Sequence, residues 1–141
     1  MPEQLLHVRA AKGFWREQRG TVLIEFAISV VLVLTILFWT LELCSAVYTY
    51  TVLADAANEG VRYAIVHSSD TSGAVDRVKK YAAYSMHDVS KIVVSVSYPD
   101  GSSVPPNRVA VSLTYQYVPY IGHFMAHPPT MSAYAQGRLV Y

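Results

Sequence analysis

Charge is scarce in this sequence: Asp, Glu, Lys and Arg make up 15% of its 141 residues, against about 25% in an average soluble domain. The 11 Lys and Arg nearly balance the 10 Asp and Glu, giving a formal charge of +1. Such a balance has no field to gather a phosphate backbone, so nucleic acid is not an expected partner. Cysteine is scarcer still. The single Cys44 allows no internal disulfide and no cysteine-rich zinc module. Phosphate-cradling glycine loops, a dinucleotide fingerprint and a Gly-x-Ser-x-Gly elbow are missing, and Asp70, Asp76, Asp88 and Asp100 are scattered singly. His123 and His127 stand four apart, but Pro128 and Pro129 follow at once and no glutamate lies between them. That is a loop pair, not a metal site. We therefore expect neither enzymatic activity nor a metal or cofactor. Repeats and low-complexity tracts are also lacking, and the length is that of one modest domain.

Apolar residues are plentiful, at 52% of the chain with a mean hydropathy of +0.25, and they are unevenly placed. From Thr21 to Leu41 the only charge is Glu25. At about 1.5 Å per residue this run spans roughly 31 Å, the thickness of a bilayer's hydrocarbon core. Ser29, Thr35 and Thr40 can bond back to helix carbonyls and so do not prevent insertion. Before the run, Arg9, Lys12, Arg16 and Arg19 face Glu3 and Glu17, so residues 1–20 carry 4 − 2 = +2 and the remainder 7 − 8 = −1. The positive-inside rule then sets the N-terminus in the cytoplasm and the residues after about Leu43 on the far side. The run exceeds a signal peptide's apolar core and no clean cleavage site follows it. Leu43 before Cys44 is too large for a lipoprotein site.

The helical pattern continues beyond the run, through Val47, Tyr50, Leu53, Ala54, Ala57, Val61 and Ala64, toward His67. Ser68 to Gly73 are rich in turn formers, and a second helix fits Ala74 to His87, with Val75, Val78, Ala82 and Met86 inward. The period then changes to two. Ile92, Val94, Val96 and Tyr98 mark one strand; Val109, Val111, Leu113, Tyr115 and Tyr117 mark a second; Met131 to Tyr141 holds a third. The expected fold is α+β: a long N-terminal helix, a short second helix and a small antiparallel sheet of about three strands. A sheet that small needs the amphipathic half of the long helix to cover one face. The expected divisions are 1–20 as a leader, 21–43 spanning the membrane, 44–67 as the amphipathic extension and 68–141 as the head.

Glu25 is the most informative residue, because a carboxylate inside a membrane segment is costly and marks a functional position by default. The alternative is that it lies near the interface and snorkels. Arg19-Gly20 precedes Thr21-Val22-Leu23-Ile24-Glu25-Phe26. Glycine, four residues, then Glu-Phe resembles the prepilin peptidase site of type IV pilin-like proteins, in the version of the Tad/Flp branch. Together with Glu42, Tyr48, Tyr50 and the run Ala56-Ala57-Asn58-Glu59-Gly60-Val61-Arg62-Tyr63-Ala64, the chain resembles the TadE-like minor pseudopilins. The pilin-like architecture of the head agrees with that resemblance.

The resemblance implies cleavage between Gly20 and Thr21 by a prepilin peptidase, with Glu25 and Phe26 serving processing and assembly. It further implies an inner-membrane precursor, other Tad pilins and pseudopilins and the inner-membrane assembly platform as partners, and a place in pilus initiation or at the tip. The competing reading is a single-pass anchored accessory protein that never polymerises. Glu59 and Arg62 read first as an i,i+3 surface pair, and Gly60 with Ala57 as a point of close approach for the sheet or the second helix. Glu42 is expected either to cap the membrane segment or to meet a basic group on a partner pilin.

Overall fold

In the computed structural model the described residues are 3–86, 88–120 and 129–140, with side chains described from Gly20 onward. His87, His123 and His127 lie outside them. The order is α1 (Glu3–Val66), α2 (Thr71–Ala83), β1 (Ile92–Ser97), β2 (Arg108–Gln116) and β3 (Thr130–Arg138). The chain divides into two units, 1–41 and 42–141.

The first unit is helix alone. It begins at Glu3, not near Thr21 where the apolar run starts. Residues 3–19 are rich in Leu, Gln, Ala, Lys, Arg and Glu, all good helix formers, and the roughly 1 kcal/mol cost of one glycine relative to alanine does not stop a helix at Gly20. The hydroxyls of Ser29, Thr35 and Thr40 donate to the carbonyls of Glu25, Val31 and Ile36 at 2.8, 2.8 and 2.9 Å, as expected of polar side chains in an apolar helix.

The second unit holds the core. Its sheet has the order β1-β2-β3, antiparallel throughout. The register sets Val94 opposite Leu113 and Leu113 opposite Ala133, so alternate residues of all three strands share one face. Leu53, Ala56, Ala57, Val61 and Ala64 of α1 close over that face, joining Val109, Val111, Leu113, Ala133 and Ala135 in one buried cluster. This is the covering layer that the amphipathic pattern of 44–67 requires. The last strand approaches very closely: a Cβ added at Gly137 would sit 2.6 Å from Ile65 and 2.7 Å from Val61. Ala74, Val78 and Ala82 bury the inner side of α2.

The second helix begins three residues earlier than the pattern of apolar residues indicates. Asp70 is the reason: its carboxylate accepts the Gly73 amide at 2.9 Å and the Ser72 hydroxyl at 2.8 Å, an N-cap that starts the helix at Thr71. The helix also ends earlier, at Ala83, where the Tyr84 and Ser85 amides donate to the Tyr81 and Ala82 carbonyls at 3.2 and 3.1 Å in tightened i→i−3 turns. Between β1 and β2, Gly101 takes φ +85° in the turn. Asp100 there accepts the Arg108 amide at 2.8 Å and its guanidinium at 2.7 Å, holding the Asp100 carboxyl at a pKa of about 2.

Candidate functional site

The residues singled out in the sequence fall into two groups. Gly20, Thr21, Glu25 and Phe26 belong to the first unit, and Glu42, Glu59, Gly60 and Arg62 to the second. In the first group all four are exposed. A Cβ built on Gly20 meets nothing within 4 Å, so the helix surface at that position is uncrowded. Thr21 and Glu25 are four residues apart and share one strip of the helix. Around them the apolar side chains are bare on every side: Val22, Ile24, Phe26, Ile28 and Val31 are each more than 60% exposed. Among the described residues one helix is long and apolar enough to cross a membrane, within Gly20–Val66. A helix that is apolar all round and buries none of that surface in its own chain needs lipid or neighbouring helices.

Glu42 has a defined place. Its half-buried carboxylate accepts the Tyr117 hydroxyl at 2.6 Å through one oxygen and the Tyr120 amide at 3.0 Å through the other. The contact fastens the start of the head's helix to the irregular segment that follows β2. Burial pushes the Tyr117 hydroxyl above its ordinary pKa, and its bond to Glu42 adds to the rise, while the nearby Ser45 hydroxyl opposes it. These partners stand 75 and 78 residues from Glu42 in sequence. Alternation alone places Tyr117 on the inner face of β2, but no local signal pairs it with a helix residue so distant.

Gly60 is buried where two helices meet. An added Cβ would lie 2.5 Å from Val78 Cγ2 of α2 and 3.5 Å from Val111 of β2, which is the close approach expected of it. Glu59 is half-buried and Arg62 exposed, yet they do not form the ion pair that their spacing suggests. Among the described residues the ion pairs are Lys91–Asp88 at 3.5 Å and Arg108–Asp100 at 2.7 Å.

Next to Arg62, Tyr63 organises a junction that the sequence did not announce. Its hydroxyl donates to Asp70 at 2.8 Å, the His67 ring stacks on it at 4.4 Å, and the Arg77 guanidinium lies 5.8 Å above its centre. Donation to Asp70 raises the Tyr63 pKa, and the Gly73, Ser72 and Tyr63 donors lower that of Asp70. Tyr98 donates to the Ser68 carbonyl and closes the same corner. The Tyr-Ala of the sequence run is therefore a brace between α1, α2 and the sheet.

Residues 20–62 match a protein-family model described as TadE-like protein. The match covers the glycine, the Glu-Phe pair, Glu42 and the Glu59-Gly60-x-Arg62 run, the same stretch that carries the resemblance to that family. No curated protein and no solved structure matches the chain.

Proposed function

We propose that this chain, TadE-like over residues 20–62, is a minor pseudopilin precursor that is cut between Gly20 and Thr21 and then contributes to starting or tipping a Tad pilus. The observation that carries the reading is an uncrowded Gly20 at the head of a bare apolar run, with Glu25 one helical turn beyond Thr21. Cleavage exposes an α-amino group on Thr21 with a pKa near about 8, so mostly cationic at neutral pH. That amine lies on the same helical strip as Glu25, within reach of its carboxylate or of a neighbour's. A carboxylate among packed apolar helices is strongly disfavoured unless paired, so pairing sets the axial register between subunits. Retained Arg16, Glu17 and Arg19 would force further charges into that bundle. Leader removal thus permits assembly, and the peptidase, the other pilins and the inner-membrane platform are the partners. Lipid holds the helix until neighbouring pilins replace it.

The anchored, non-polymerising alternative draws support from the unbroken helix through Gly20, which ties the backbone there into helical hydrogen bonds. One measurement separates the two. Mass spectrometry of the protein from cells carrying the matching prepilin peptidase is expected to find Thr21 first, and Gly20→Asp to keep the leader and stay out of filaments. Intact Met1 in membranes, or a Gly20→Asp chain that still enters filaments, overturns the pseudopilin reading.

A further inference from the structure

The sheet leaves both of its edges open, and the phase of its ladder fixes which backbone groups face outward there. The Leu139 amide donates to the Asn107 carbonyl at 2.8 Å and the Tyr117 amide to the Pro129 carbonyl at 3.0 Å. Both contacts join odd-numbered partners, and in an antiparallel ladder opposed residues alternately exchange both bonds or neither. The amides and carbonyls of Ser132, Tyr134 and Gln136 therefore point away from β2 at one edge, and by the same count those of Val94 and Val96 do so at the other. Among the described residues none of these groups has a hydrogen-bond partner. Native sheets protect such edges with lysine, proline, an inward charge or a bulge. β1 and β3 have none of these: their single charge is the exposed Arg138 at the end of β3, and the pairing runs without interruption.

We infer that a second copy of this chain pairs with the β3 edge, its β1 lying parallel to β3 so that the two sheets run on as one. The geometry selects that arrangement. With antiparallel neighbours in the order β1-β2-β3, β1 and β3 run in the same direction, so a sideways shift of one head brings the partner's β1 alongside β3 in parallel. Opposed residues of a parallel pair point to the same face, and each bonds to the two residues flanking its opposite. Val93, Thr114 and Ser132 already form one row across the sheet. The shift continues that row, setting Ser132 beside the partner's Val93 and Tyr134 beside the partner's Ser95. The Tyr134 amide then donates to the carbonyl of the partner's Val94, and its carbonyl accepts the amide of the partner's Val96. Both core faces stay on one side of the joined sheet, under their helices. Charge agrees with this direction, since Arg138 comes to the end of the partner's β1 nearest Asp100 and not to the end that carries Lys91. A two-fold pairing of β3 with β3 would turn the partner's α1 end for end, although in both copies the apolar run precedes the same end of its head segment. The contact is heterologous, so one β1 and one β3 stay open at the ends of the row. It uses the head alone and does not rest on cleavage at Gly20.

The test co-expresses two differently tagged full-length chains in a Cys44→Ser background, one with Ser132→Cys and the other with Val93→Cys, and oxidises the isolated membranes. Opposed residues of neighbouring strands lie about 5 Å apart, inside disulfide reach, whereas Ser132 and Val93 of one copy are two strands, or about 10 Å, apart and cannot bridge. The mixed dimer is expected to exceed the Ser132→Cys homodimer at least about fivefold. Tyr134→Pro or Gln136→Pro, added to the Ser132→Cys chain, removes an edge amide that bonds nothing within the head; each is expected to cut the mixed dimer at least about fivefold. Circular dichroism of the full chain in micelles verifies that the proline variants fold. No mixed dimer, a Ser132→Cys homodimer of equal yield, or a mixed dimer that survives both prolines overturns the inference. The N-terminal mass reads the pseudopilin proposal separately, so either can fail without the other.

Discussion

Glu42 shows how much one carboxylate can organise when its oxygens are divided between a side chain and a backbone. Tyr117 is 5% exposed, and its hydroxyl gives a charge-assisted bond to Glu42 that removal of the oxygen would abolish. Tyr117→Phe is expected to destabilise the head by about 1–3 kcal/mol, the range for a hydrogen bond to a charged partner, measured by urea unfolding of the full chain in micelles. Tyr120→Ala should cost much less through this contact, because Tyr120 contributes its backbone amide. Equal losses in both variants would mean that packing, not the carboxylate, fixes this corner. Glu25 works in the opposite manner. Its exposed side chain lies in an apolar stretch of α1 that buries none of its own surface, so no contact within that stretch sets its energetic weight.

At the scale of elements, the strands were legible because their inner residues alternate with outer ones among which Ser, Thr and Gln recur. Val109, Val111 and Leu113 announce β2, and all three are buried. The amphipathic extension was legible for the same reason at a period near 3.6. Helix ends were less so. The start of α2 depends on the Asp70 cap, whose polar residues look like any turn, and the start of α1 depends on helix propensity in a leader that hydropathy ignores. The candidate site was legible wherever it is local in sequence, as in Gly20 to Phe26. It was hidden wherever folding joins distant segments, as in Glu42 with Tyr117.

The α1–α2 contact is where a single methyl should be felt. Gly60→Ala drives a carbon into Val78, a stiff β-branched side chain, 2.5 Å away. The overpacking cost of about 1–3 kcal/mol exceeds the roughly 1 kcal/mol that alanine adds to helix propensity. A lowered urea midpoint is expected. Combined with Val78→Ala, the loss should be smaller than the sum of the two single losses, which is the signature of a shared contact; strict additivity would place the cost elsewhere.

For the whole molecule, the head keeps its charges in short local devices, and this gives its stability a pH dependence of definite sign. Asp70, Asp88 and Asp100 all have carboxyl pKa values held below the ordinary 3.8, Asp100 at about 2 through the Arg108 guanidinium and amide. Carboxyls depressed by folding stabilise above their unfolded pKa and lose that contribution as pH falls through the folded value. Urea midpoints of the full chain in micelles should therefore be level down to about pH 4 and fall between about pH 4 and 2. Asp100→Asn should flatten that fall, and an unchanged slope would assign the acid sensitivity to other groups.

The close seat of Gly137 against Val61 and Ile65, with Ala133 and Ala135 in the core, has a consequence for biosynthesis. Because β3 follows every other element in the chain, a polypeptide interrupted before residue 130 leaves Val61, Val111 and Leu113 open to water. Closure of this core therefore waits on residues 130–138, the last of the described elements to be synthesised.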